Sequence, residues 1–424
     1  YGFGSILYYV LAAILFFIPT AFVCAELATG WPKAGGVYAW VSEAFGPSVG
    51  FIAIWYGWML SIAWFPTVLT FTASCIAYIF KPELIHNNHY MIVTMLSIFW
   101  IATFINFLGM KASSWVSSIG VILGTILPGA LIIGLGLTWW YLGKDLKIEI
   151  SWGSAFPSLK LSNMVFFVGM LLSLAGMEMS AFHAREAKNP KHDYPIAMAI
   201  SSLIILSVYI LGSLSIAFVV SPRDVNLFAG LMQAFNEFFT AFNIKHFMPW
   251  LAFFAAIGSL AGINTWIIGP AKGILASANY GFLPPWMHKV NKNGMPVGTL
   301  FVQAVLGSLI ALVFYFMPSV NAAFWIITAL TVQFAMVMYV LIFSACIRLR
   351  YTQPEVKRHY RVPGGKVGLW IIGGIGIMTS LWAFVVAFIP PAQLNTGSFL
   401  FYESYLIGGI FLLTLPALLF IRFK

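Results

Sequence analysis

Apolar residues come along this chain in long runs, at about 5–27, 48–80, 90–109, 118–142, 162–184, 194–220, 247–279, 298–316, 322–349, 367–390 and 398–421. A hydrocarbon core about 30 Å thick takes roughly 20 apolar residues in a helix, because each backbone N–H and C=O must be paired within its own segment. The pattern predicts eleven transmembrane helices in one all-α polytopic membrane protein, with the lipid bilayer as its solvent. The second, seventh and ninth runs exceed the length that an upright crossing needs, so they are expected to tilt or to extend beyond the bilayer.

Composition sharpens the picture. Charged residues are 8% of 424 and the apolar set is 61%, a balance that a water-soluble surface of this size cannot carry. A net charge of +10 raises the question of nucleic acid, but the basic residues are scattered over short connections and form no tract, so nucleic acid is not an expected partner. Counted on alternate sides, sixteen Lys and Arg of the 22 fall on one face and six on the other. The positive-inside rule then places Lys424 in the cytoplasm and Tyr1 outside, in a multi-pass protein of the cell (inner) membrane. Cys24, Cys75 and Cys346 all lie in apolar runs without pairing or metal-ligand spacing and read as packing residues. No cleavable signal is visible, since the first run is too long for one and no basic stretch precedes it.

The breaks between the runs carry more information. Residues 35–47 place Val37, Trp40, Val41 and Ala44 at helical spacing between two glycines and a Gly-Pro stop, which predicts a short interfacial helix on the cytoplasmic side, with a plain loop as the alternative. Further breakers stand at Asn189-Pro190, Gly269-Pro270, Pro284-Pro285 and Val362-Pro363-Gly364-Gly365, on or near the same side.

Of the twelve acidic residues, eleven, Glu26 among them, can be assigned to the ends of runs, and only Glu178 remains within one. A charge near mid-membrane costs about 2.5–3.5 kcal/mol on insertion scales, so it should face a cavity or a partner. Glu178 sits in Leu174-Ala175-Gly176-Met177-Glu178-Met179-Ser180, where Gly176 and its small neighbours can loosen the helix. Broken helices expose N-terminal amides to a carboxylate and free carbonyls to an ammonium, as a zwitterion requires. Glu178 therefore reads as a substrate contact, a proton carrier or a gate, against the alternative of a protonated carboxyl that ties two helices together. In the seventh run Gly262, Asn264, Thr265 and Trp266 precede Gly269-Pro270, an unusually polar stretch for mid-membrane, and Trp266 lies away from the interfacial belts. Its indole can close over a substrate or take a cation on its face, the alternative being ordinary packing. In the ninth run Gln333 and Tyr339 are six residues apart and lie on opposed faces, so at most one lines the same cavity. His183 and His192 flank one helix end, where a proton sensor is conceivable and a solvated histidine is the plainer reading. No nucleophile with its base, phosphate loop or metal cluster can be found, so neither an enzyme nor a cofactor or metal is expected.

Taken together, Gly35-Gly36-Val37-Tyr38-Ala39-Trp40 with Phe45-Gly46-Pro47, Gly176-Met177-Glu178, Asn189-Pro190, Tyr194-Pro195, Trp266-Ile267-Ile268-Gly269-Pro270 with Lys272-Gly273, Asn291–Val297 and Val362–Gly365 resemble the amino acid, polyamine and organocation transporter superfamily, and within it the bacterial glutamate/GABA antiporter group. The resemblance implies a leucine-transporter-like fold of two inverted five-helix repeats plus two further helices, with substrate between the broken helices that open each repeat. Within a single transmembrane domain over 1–424, residues 5–142 would be the remainder of the first repeat, 162–349 the second and 367–421 the two additional helices. Eleven helices are one too few for that plan, and the start outside points to a first helix missing upstream of Tyr1. Carried over by position, Glu178 matches the superfamily's acidic residue in its sixth helix and Trp266 an aromatic near the substrate in its eighth. Gly262 stands where the glutamate/GABA exchangers place a carboxylate, and Ala335 stands where a tyrosine is expected.

The expected activity is secondary transport by alternating access, with exchange of an amino acid for a related amino acid or its decarboxylated amine. The expected substrate-binding or gating residues are Gly176, Glu178, Gly262, Asn264, Trp266, Gln333 and Tyr339, with Glu178 also as the proton-coupling group. A proton-coupled permease and a non-transporting nutrient receptor are the alternatives.

Overall fold

The computed structural model describes residues 2–32, 35–109, 120, 122–156, 160–179 and 190–423. The described residues are almost wholly helical, and the β pairing among them is a single bridge between Val290 and Pro296. Among the described residues, ten helices are long and apolar enough to cross a membrane. They are α1 (Gly2–Gly30), α3 (Pro47–Phe80), α4 (Asn88–Phe107), α5 (Ile122–Tyr141), α7 (Pro190–Val219, its apolar part Pro195–Val219), α9 (Met248–Ala276), α10 (Val297–Phe316), α11 (Val320–Thr352), α12 (Gly365–Val386) and α13 (Phe399–Arg422). Between them lie a short α2 (Val37–Phe45), α6 (Leu161–Ser173) and α8 (Gly230–Ala241).

Ten of the eleven apolar runs thus became continuous spans. The other, 162–184, holds the shorter helix α6, which stops at Ser173, and its residues 180–184 lie outside the described part, as do His183 and Asn189. The three long runs became helices of 34, 32 and 33 residues when the turn Lys245–Phe247 is counted with α9. At 1.5 Å per residue each is about 50 Å long, well beyond a 30 Å hydrocarbon core. Helix starts follow capping chemistry: Asn87, Ser319 and Ser398 each accept a first-turn backbone N–H.

The interfacial helix forms at Val37–Phe45, but it is buried rather than laid on a surface. Val37, Tyr38, Ala39, Trp40, Val41 and Ala44 are all enclosed, because α2 packs into the angle between α3 and α11. Gly46, at φ +92°, turns the chain from α2 directly into α3, a conformation that a side chain would strain. The core is centred on α3 and α11, with Trp58, Phe65 and Tyr339 fully enclosed, whereas α13 is largely exposed at the rim. All three cysteines are free and buried.

Candidate functional site

The site begins where α6 stops. The amides of Leu174 and Ala175 bond back to Leu171 and Leu172 at 3.2 and 3.0 Å, tightening the last turn, and Gly176 then swings the backbone to φ +115°. No residue with a side chain holds that angle without strain. A single tight turn over Met177–Met179 follows, closed by Met179 N–H on the Gly176 carbonyl at 3.1 Å. One carbonyl released by the break, that of Ser173, accepts the Tyr209 hydroxyl of α7 at 3.0 Å.

The break folds Glu178 back on its own chain. Its Oε2 accepts the Gly176 amide at 3.2 Å and also the hydroxyl of Tyr339 from α11, and the same amide lies 2.9 Å from the Tyr339 oxygen. Glu178 and Tyr339 are both buried. Phe16 of α1 meets the Tyr339 ring edge-on, with centroids 4.9 Å apart. Phe16 stands in a π-helical stretch, Ala13–Phe17, upstream of Pro19, where the ladder is widened and the Thr20 hydroxyl bonds the Phe16 carbonyl at 2.7 Å.

Trp266 closes the other wall. A Cβ on Gly176 would stand 3.4 Å from the indole Cζ2, and Trp64 of α3 lies 5.4 Å away, centroid to centroid. Although breakable in sequence, α9 runs unbroken through Gly262–Pro270, but Pro270 has no N–H and leaves the Trp266 carbonyl without its helical donor. Glu178 and Trp266 line one narrow cleft with Val37 at the start of α2, Gly57 of α3 and Met338 of α11. Close packing shapes it, since a Cβ on Gly57 would come within 2.9 Å of Met338 Sδ. The arrangement offers a carboxyl and an indole face around a break, a set suited to an ammonium group.

The remaining expected residues divide. Gly262 is on α9, half-buried, with nothing within 4 Å of where a Cβ would be. Asn264 turns the other way: its Oδ1 accepts Asn106 Nδ2 of α4 at 2.9 Å, so it ties two helices together. Gln333 is fully buried, and neither its amide nitrogen nor its oxygen has a hydrogen-bond partner among the described residues, so it does not join the Glu178 group.

A second buried charge group was not anticipated. Glu26, expected at a helix end, is fully buried near the end of α1. Arg350 of α11 donates to both its oxygens, from Nε to Oε1 at 2.8 Å and from Nη2 to Oε2, and the Val362 amide reaches Oε2 at 2.7 Å. Arg358 Nε lies 3.4 Å from Oε1. Burial lowers Arg358 from the usual guanidinium range, with Glu26 opposing the shift. The signal available in the sequence is weak: a carboxylate one residue from the end of an apolar run, and two arginines among the sixteen basic residues of one face.

Comparison with known proteins identifies the family of the chain. Residues 2–412 match the amino acid permease family. An uncharacterized transporter of Legionella pneumophila is 43% identical over 99% of this chain and 91% of its own length. A glutamate/gamma-aminobutyrate antiporter of Lactococcus lactis is 31% identical over 95% of this chain and 81% of its own, and a probable agmatine/putrescine antiporter of the same species is 22% identical over 99% and 89%. With that match over nearly its whole length, the chain belongs to the amino acid permease family, the multi-pass membrane transporters of amino acids.

Proposed function

We propose that this protein exchanges an amino acid for a related amino acid or its decarboxylated amine by alternating access across the cell membrane, with its basic face and Lys424 in the cytoplasm. The observation that carries the reading is the broken helix at Leu174–Gly176, which sets the Glu178 carboxyl, hydrogen-bonded by Tyr339, beside the Trp266 indole. The antiporter names of two relatives point the same way. Glu178 and Trp266 contact or gate the substrate, Gly176 provides the hinge, Tyr339 holds Glu178, and the open space at Gly262 receives the substrate side chain. The organisation into a first repeat that includes 5–142, a second over 162–349 and two added helices over 367–421 is part of the same reading.

A net-neutral zwitterion fits best, because among the described residues that line the cleft Glu178 is the single ionisable group. Counterflow in proteoliposomes of the full-length protein tests exchange: labelled amino acid should accumulate only when unlabelled substrate is inside. Uptake driven by a proton gradient into empty vesicles would instead favour a proton-coupled permease, a reading that Glu178 as a titratable group in the cleft also allows.

A further inference from the structure

The Glu26 group joins three parts of the molecule that no local contact would hold together. Beyond Glu26, Arg350 and Val362, Arg358 donates to the Leu349 and Gln353 carbonyls at 2.8 Å each and lies 4.8 Å over the Trp31 ring. Trp31 Nε1 donates to Gln353 Oε1 at 3.1 Å, and Gln353 Nε2 donates to Glu43 of α2 at 2.9 Å. The Tyr360 amide bonds Thr29 Oγ1 at 3.2 Å, and Trp40 of α2 bonds the Trp31 carbonyl at 3.3 Å. One carboxylate therefore clamps the end of α1 to the end of α11 and to the connection 353–364, and through Gln353 and Trp31 it holds α2. The other end of α2 delivers Val37 to the cleft beside Glu178.

Taking the transport reading as its basis, we propose that Glu26, Arg350 and Arg358 form a latch on the basic face of the transporter, which keeps α2 and the connection 353–364 closed under the cleft and parts when the site opens to that face. Two features favour a latch over inert glue. A buried ion cluster adds little stability over an apolar replacement of the same shape, whereas loss of one partner leaves a buried charge uncompensated, so the cluster behaves as an all-or-none fastening. Moreover, the residues it fastens reach the substrate cleft in one continuous chain of contacts, through Trp31, Gln353 and α2.

Native thiols report on this seam. Cys24 is two residues before Glu26 and Cys346 one turn before Arg350, both buried, while Cys75 lies near the far end of α3 and is also buried. The full-length protein and its Glu26→Gln and Arg358→Lys variants would be reconstituted and treated with a hydrophilic maleimide, each cysteine being followed by mass spectrometry. Glu26→Gln should raise the labelling rate of Cys24 and Cys346 by about tenfold or more, since loss of one partner from a buried ionic cluster shifts an opening equilibrium by at least a decade. Arg358→Lys keeps the charge but loses the planar fork, and should give a smaller rise at the same two sites. Cys75 should not change in either. Wild-type labelling in folded Glu26→Gln protein overturns the latch, and so does an equal rise at all three cysteines, which marks general loosening. Should Glu26→Gln fail to fold, Arg358→Lys decides by the same two criteria. Counterflow by the wild type is measured alongside: its absence with site-selective labelling would overturn the transport reading and leave the opening of the seam established.

Discussion

Glu178, in the turn that follows α6, and Tyr339 of α11 share one hydrogen bond at the point where α6 breaks, and the Gly176 amide faces both oxygens. The backbone break and the acidic residue are thereby one unit. Removing any of its three members should disturb the other two.

Glu178→Gln is expected to lower transport or to flatten its dependence on pH while leaving expression and folding largely intact, because Gln keeps the shape and cannot titrate. Transport measured between pH 5 and pH 8 checks it, and an unchanged profile would show that the carboxyl only joins α6 to α11.

Tyr339→Phe removes the hydroxyl and keeps the ring against Phe16. A hydrogen bond to a charged group contributes about 1.5–3 kcal/mol, so transport or substrate affinity should fall by roughly tenfold to a hundredfold, with little loss of thermal stability. A drop in melting temperature without any change in transport would assign Tyr339 to packing.

For Trp266, replacement by Ala should weaken binding or leave the cleft unable to close, and replacement by Phe should be milder because a ring still faces Gly176 and Trp64. Direct binding together with uptake distinguishes the two steps. Equal, wild-type-like behaviour of both variants would mean that the indole is a packing residue.

The two glycines should respond in opposite ways. Gly262→Ala meets open space inside a helix, where Ala is favoured by about 0.5–1 kcal/mol, and should fold and transport, whereas Gly262→Leu should block bulkier substrates first. Gly176→Ala must hold φ +115° and should cost on the order of 1–3 kcal/mol with loss of transport. A melting curve and an uptake panel of small and large amino acids check both.

Substrate charge is tested by glutamate itself. With Glu178 as the one ionisable group among the described residues lining the cleft, a neutral zwitterion should be carried better than a substrate with net negative charge, and lower pH should help glutamate by neutralising part of its side chain. Strong uptake of fully ionised glutamate at pH 8 would contradict this.

The hydrophobic pattern by itself determined that this chain is a polytopic helical membrane protein, since a bilayer demands some 20 apolar residues per span and few other structures satisfy the backbone there. It also singled out Glu178, Gly176 and Trp266, because a charge, a helix breaker and an indole are each anomalous at mid-membrane. Only the tertiary structure decided what they and their neighbours touch. Asn264 and Trp266 sit two residues apart on one helix, yet one bonds Asn106 and the other meets Gly176, because positions two apart point about 200° from each other. Glu26 was indistinguishable in sequence from any acidic residue at a helix end. Its burial depends on Arg350 and Arg358, more than 320 residues away, folding onto it, and no local pattern encodes a partner at that separation.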